Sequence, residues 1–289
     1  GGGAELVISA GRALLRLLDE PRGKQELLEE AGALAKALPD LGPESAAQIT
    51  PILAILSRGS EAQLAMGAAG VVPPLVQLLV GGAWPPSVSA SASEVLANLA
   101  KQPEVAPSLI RSGAIAPLVH QLQDGSPAAQ EAAVIALNQL ISAPDAGGAE
   151  AGASAGVVAP LVAALRHHAG VGLRSHGMHA LDLLAKSEVG KRALADAADA
   201  VPACLHVLAA TDEAAIKEQA LAALACLAQS GRRADIIAAR GVETLVLFLP
   251  GGGGRSSQLH AARAVAGLAD DTSSHVLLSK LGVGPLVAM

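Results

Sequence analysis

The stretch AGVVPPLVQLL (69–79) reads badly as a strand and oddly as a helix, because it joins β-branched residues, a double proline and a leucine-rich tail. Close copies recur as SGAIAPLVHQL (112–122) and AGVVAPLVAAL (155–165). Aligned on one apolar position, the copies run through Leu75, Leu118, Leu161, Cys204, Leu245 and Leu286, with separations of 43, 43, 43, 41 and 41 residues. A second phrase keeps the same beat: LANLA at 96, LNQLI at 137, LDLLA at 181, LACLA at 224 and VAGLA at 265, with earlier members LAILS at 53 and LLRLL at 14. A long internal period carried only by helical signals marks a stack of helical repeats.

The awkward phrase is predicted to be a corner. A short segment of helical spacing precedes each copy: KQELLEEAG (24–32), EVAPSLIRSG (104–113), GKRALADAAD (190–199), RADIIAARG (233–241) and SHVLLSKLG (274–282). Where a glycine closes the segment, it is expected to stop the helix, since glycine enters the left-handed region without steric cost. A proline soon after, at Pro73, Pro117, Pro160 or Pro285, suits the first turn of a second helix, where no backbone N–H is needed. A polar loop such as QDGSPAAQ (123–130) then leads into a longer third helix, as in AAQEAAVIALNQLI, with apolar residues at three- and four-residue steps. DAGGAEAGASAG (145–156) is so rich in glycine and alanine that looser structure is expected in place of a firm first helix.

Three helices per unit, with a Gly-Ala-Ile/Val-x-Pro-Leu-Val-x-x-Leu phrase followed by Ala-Leu-x-Asn-Leu, resemble the armadillo repeat. GVVPPLVQLL with VLANLA and GAIAPLVHQL with ALNQLI carry the likeness best. The resemblance implies an all-α, right-handed α-solenoid running through residues 1–289 as a single array. Register then predicts a partial repeat at 4–18 holding a third helix only, complete repeats at about 20–57, 58–100, 101–143, 144–186, 187–229 and 230–270, and a partial repeat at 271–289 with first and second helices. An array cut in mid-unit is expected to be a piece of a longer one, because it lacks the polar caps that close such stacks.

Composition narrows the function. The chain has no Tyr, one Phe (Phe248), one Trp (Trp84) and a net charge of −6, which argues against a nucleic-acid surface built from basic and aromatic residues. Two cysteines, Cys204 and Cys226, are too few for a disulfide framework and lack CxxC spacing, so an intracellular location, cytoplasmic or nuclear, is expected. Glycine, proline or charge interrupts every apolar run before it reaches the length of a membrane span.

Motifs for chemistry are sparse. His176 and His179 lie three apart on a predicted third helix, with His167 and His168 in the loop before it. Such spacing suits a metal, but no carboxylate or cysteine is placed as an obvious extra ligand and the adjacent His167 and His168 do not easily aim at one point, so the histidines read as polar surface. PGGGGRSS (250–257) lacks the lysine and spacing of a phosphate loop and reads as the connection between second and third helices. Trp84, between glycines and prolines, is either a plug over helix ends or an exposed anchor. Cys204 aligns with a core leucine, and Cys226 with a third-helix groove position. DEPRGKQELLEE (19–30) reads as the solvated face of a first helix. No catalytic residues, cofactor-binding residues or cofactors are predicted, and the chain is read as non-enzymatic.

In stacked helical repeats the third helices line the concave surface that holds extended or helical partner segments. In importin-alpha-like armadillo proteins each third helix presents a Trp and, four residues on, an Asn. The equivalent pairs here are Glu94 with Asn98, Ile135 with Gln139, His179 with Leu183, Ala222 with Cys226, and Arg263 with Gly267. Only Asn98 keeps its identity, which disfavours a receptor for nuclear-localisation signals. The strongly basic groove of beta-catenin-like members is absent too. The candidate groove residues are Glu94, Asn98, Glu131, Gln139, His176, His179, Glu218, Gln219 and Arg263. The expected partner is a protein or peptide segment, with no nucleic acid, no membrane and no obligate oligomer. Two other readings follow from the resemblance: the substrate-recruiting part of a U-box-type ubiquitin ligase, and a lipid-anchored membrane scaffold. The Met-Gly or cysteine-bearing start that such an anchor needs is not in GGGAELV.

Overall fold

The architecture is that of a computed structural model, which describes residues 13, 16–80, 84–143, 147–166, 170–250, 254–269, 279 and 280. Among these residues there is no strand, and the helices follow one another in triplets. The chain divides into two compact units, residues 1–151 and 152–289, and the division falls inside the helix Gly148–Ser154.

The first unit holds α1 (Pro21–Glu29), α2 (Ala31–Leu41) and α3 (Pro43–Leu56), then α4 (Ser60–Ala68), α5 (Val72–Leu79) and α6 (Pro86–Leu99), then α7 (Ala106–Arg111), α8 (Ile115–Asp124) and α9 (Pro127–Ile141). After α10 (Gly148–Ser154), the second unit continues with α11 (Val158–Arg166), α12 (Val171–Leu184), α13 (Glu188–Asp196), α14 (Ala200–Ala210), α15 (Ala214–Gln229), α16 (Arg233–Ala238), α17 (Gly241–Val246) and α18 (Arg255–Ala269). Segment 4–18 falls largely outside the described residues, as does 271–289.

Local chemistry explains the starts. Proline occupies the first turn of α1, α3, α5, α6 and α9, and Ser126 Oγ caps α9 by accepting the Ala129 N–H at 3.3 Å. The corner between first and second helices is close to a right angle, 89° from α4 to α5 and 90° from α13 to α14. Gly70, Gly113 and Gly156 stand at three such corners with φ of 75°, 72° and 74°, which is the glycine stop expected from the repeated phrase.

The other corners depart from that expectation. In RADIIAARG the left-handed residue is Arg240, at φ 58°, one position before the glycine. Gly241 instead opens α17, where a Cβ would come within 2.7 Å of Ile236 Cγ2. In KQELLEEAG, Gly32 lies inside α2, and a Cβ there would sit 2.7 Å from the Ala69 carbonyl oxygen. The corner of GKRALADAAD has no glycine, and the next repeat supplies Arg232, whose Nη1 donates to Ala195 O at 2.9 Å and Nη2 to Ala198 O at 3.2 Å. A charged donor satisfies carbonyls that a glycine turn would otherwise cover.

DAGGAEAGASAG also differs from its reading, since it contains helix α10. Its small residues are what let it form there: a Cβ on Gly148 would lie 1.8 Å from Leu140 O. Close approach to α9 needs glycine, so the residue that weakens an isolated helix permits this packed one. The same device recurs in the second unit, where a Cβ on Gly190 of α13 would lie 2.0 Å from Leu184 O.

The leucines of both phrases form the core. Leu75, Leu118, Leu96 and Leu137 are buried in the first unit, and Leu161, Cys204, Leu245 and Leu224 in the second. Each buried leucine contributes about 1.5–3 kcal/mol relative to exposure.

Candidate functional site

Helices α6 and α9 are neighbouring third helices of the first unit, and a groove of about 360 Å³ opens between their outward faces. Alanines, among them Ala90, Ala97, Ala128 and Ala132, form its floor, and Glu94, Asn98, Lys101 and Glu131 supply its polar groups. Small floor residues keep the two helices close while leaving the depression open. Glu94 pairs with Arg58 Nη2 at 3.2 Å. Asn98 is buried: its Nδ2 donates to Ser57 Oγ at 3.0 Å, and its Oδ1 accepts from Lys101 Nζ at 2.8 Å. Beside it, Gln63 Nε2 donates to Ser57 O at 2.9 Å and Gln102 Nε2 to Gln63 Oε1 at 2.6 Å. Every amide on this ladder ties one repeat to the next, so the groove walls are held by satisfied buried polar groups.

The second unit arranges its third helices differently. His179 Nδ1 and Gln219 Nε2 share a hydrogen bond of 3.1 Å, and Ser256 Oγ donates to Glu218 Oε1. Arg263 is exposed on α18, and His176 is half-buried on α12. Gly267, which aligns with Asn98, packs so closely on α15 that a Cβ would lie 3.1 Å from Ala228 Cβ. Of the candidate groove residues, the structure therefore gathers Glu94, Asn98 and Glu131 in one groove. It pairs His179 with Gln219, and it leaves Gln139 half-buried outside the groove lining.

No family model matches the sequence, and no curated protein matches it significantly. Solved structures do. A designed armadillo repeat protein is 27% identical, with 76% of this chain and 92% of that one covered at a TM-score of 0.64. Computationally designed armadillo repeat proteins for modular peptide recognition match at 23% identity, 82% and 99% coverage and a TM-score of 0.68. A designed armadillo repeat protein in complex with the peptide (KR)4 matches at 24% identity, 83% and 99% coverage and a TM-score of 0.63. The chain has an armadillo-like repeat fold.

That armadillo-like frame gives the remaining motifs their places. Pro250 follows α17, and Gly254, at φ 93°, precedes α18, which already includes Arg255, Ser256 and Ser257 of the PGGGGRSS run; residues 251–253 lie outside the described residues. Trp84 is half-buried just before α6, between the two alternatives drawn for it. The exposed Arg22–Glu26 pair at 3.1 Å on α1 fits a solvated first-helix face. His167 and His168 are outside the described residues. Among the described residues no group of three or more His, Cys, Asp or Glu is placed to hold a metal ion.

The cysteines are held as thiols. Burial pushes the Cys204 thiol up to about 12, and Cys226 is also raised, by burial first, against the lowering effects of its Ser230 contact and the Lys191 charge. Lys191 comes from α13 and was invisible as a neighbour of Cys226 in sequence. Desolvation outweighs it, so neither sulfur is an activated nucleophile.

Two features escape the sequence pattern altogether. Lys101 lies just beyond α6 and reads as loop, yet its Nζ completes the groove. In the second unit, α17 ends early at Val246 and leaves Leu247 73% exposed. With Leu205, Leu208 and Phe248 it lines an apolar recess of about 640 Å³.

Proposed function

We propose that the chain is a non-enzymatic interaction module that binds a segment of another protein on the outward faces of its third helices. The observation that carries this reading is the groove between α6 and α9, with its alanine floor and its rim of Glu94, Glu131 and Lys101. Its walls are fixed by the Asn98–Ser57 and Gln102–Gln63 bonds, so a partner meets a surface that is already organised, which lowers the ordering cost of binding. The designed armadillo repeat protein solved with the peptide (KR)4 adds support by analogy of fold. Among the described residues no single helix is long and apolar enough to cross a membrane.

The test is affinity capture with the whole chain beside a variant carrying Glu94→Lys, Glu131→Lys and Glu218→Lys. Partners should be retained by the parent chain and lost by the variant, with both circular dichroism spectra equally helical. Recovery of no protein, or of partners indifferent to all three reversals, sinks the reading.

A further inference from the structure

Charge in the α6–α9 groove is distributed unevenly along the helices. Glu94 and Glu131 line one end, Asn98 stands in the middle, and Lys101 closes the other. Glu94 already has Arg58 at 3.2 Å, whereas Glu131 has no cationic partner among the described residues. Lys101 Nζ donates to the neutral amide oxygen of Asn98, and among the described residues no carboxylate neutralises it. An acidic end with spare negative charge therefore faces a cation that has a hydrogen bond but no counter-ion.

Resting on the proposed segment-binding function, we infer that the partner segment bears both signs of charge: a Lys or Arg for the Glu94 and Glu131 end, and an Asp or Glu for Lys101. Helix geometry sets the spacing. Glu94 and Lys101 are seven residues apart in sequence, a span of about 10 Å at 1.5 Å per helical residue. A segment in the polyproline II conformation covers about 9 Å in three residues at 3.1 Å each and, with three residues per turn, brings the fourth side chain back to the same face as the first. A basic residue and an acidic residue three positions apart match the groove, and a uniformly basic segment places a cation against Lys101. The arrangement selects by repulsion as well as attraction.

The experiment uses fluorescein-labelled octapeptides of Ser and Ala, with blocked ends, that differ only at two positions three residues apart. Those positions carry Arg and Glu, Arg and Arg, Glu and Glu, or Gln and Gln, and binding to the full chain is followed by anisotropy at low salt. The mixed peptide should bind about tenfold more tightly than the doubly basic and doubly acidic ones. Lys101→Glu should move the preference to the doubly basic peptide, and Lys101→Met should erase the discrimination between the mixed and the doubly basic peptides, each variant being checked for unchanged helicity. If the doubly basic peptide binds the parent chain as well as the mixed one and Lys101→Glu changes nothing, the charge pattern is wrong while segment binding stands. If the mixed peptide and all others fail to bind, the segment-binding reading falls and the charge pattern with it.

Discussion

Between the first two repeats the third helices meet through the amide of Asn98 and the hydroxyl of Ser57, and between the last two the aligned positions hold Gly267 and Ala228, in direct contact. Corners differ in the same way. Gly70 and Gly113 turn the chain in the first unit, whereas the second unit uses Arg240 in the left-handed region and Arg232 as a donor to two carbonyls, beside its own Gly156. One backbone arrangement is thus compatible with polar ladders or with small-residue contact. The polar solution leaves side chains standing at the groove, and the small-residue solution spends the same positions on packing.

That contrast can be broken most forcefully at Gly190. Gly190→Ala drives a Cβ into Leu184 O, and the second unit should lose about 3 kcal/mol in denaturant unfolding. Arg232→Met leaves the carbonyls of Ala195 and Ala198 without their charged donor, and a loss of about 2 kcal/mol is expected in the same measurement. Asn98→Ala removes both bonds of the buried amide and should destabilise the first unit by about 1.5 kcal/mol. The aligned Cys226→Ala, which removes one 4.0 Å contact to Ser230, should change stability by well under that.

Alkaline titration sharpens the comparison, because both cysteines lie in the second unit. The Cys204 thiol sits at about 12 in the folded chain against an ordinary 9.0. Its contribution is fully present below about 9 and is lost as pH rises toward 12, since the unfolded chain ionises first. Between those limits stability should fall as pH rises, and Cys204→Ala should make that fall shallower, leaving the part that Cys226 contributes. The smallest effect is at Arg240: Arg240→Gly relieves the left-handed conformation and should raise stability by about 0.5 kcal/mol, net of its exposed pair with Glu243 at 3.2 Å.

The helical repeat was legible because burial imposes its own period: Leu75, Leu118 and Leu161 must all reach the core, and the spacing survives any change in surface chemistry. Side chains that act across repeats were not legible. Asn98 was found by alignment, but its partner Ser57 lies 41 residues away, and nothing local announces the bond. The only trace is LAILS, which ends in Ser where its sister phrases end in Ala, Ile or Leu. Arg240 was misread because a glycine stood next to it, and α10 because intrinsic propensity was weighed without the neighbour that the glycines approach. Lys101 was missed because it follows the helix whose face it completes.

The Asn98–Ser57 bond also governs portability. A repeat lifted out alone would carry Asn98 without its hydroxyl acceptor, and a donor array supplying Ala or Ile at that place would strand the amide. A cut through the middle of a repeat keeps this pair together, whereas a cut between residues 57 and 58 parts it, so at this place the seam is what has to be moved whole.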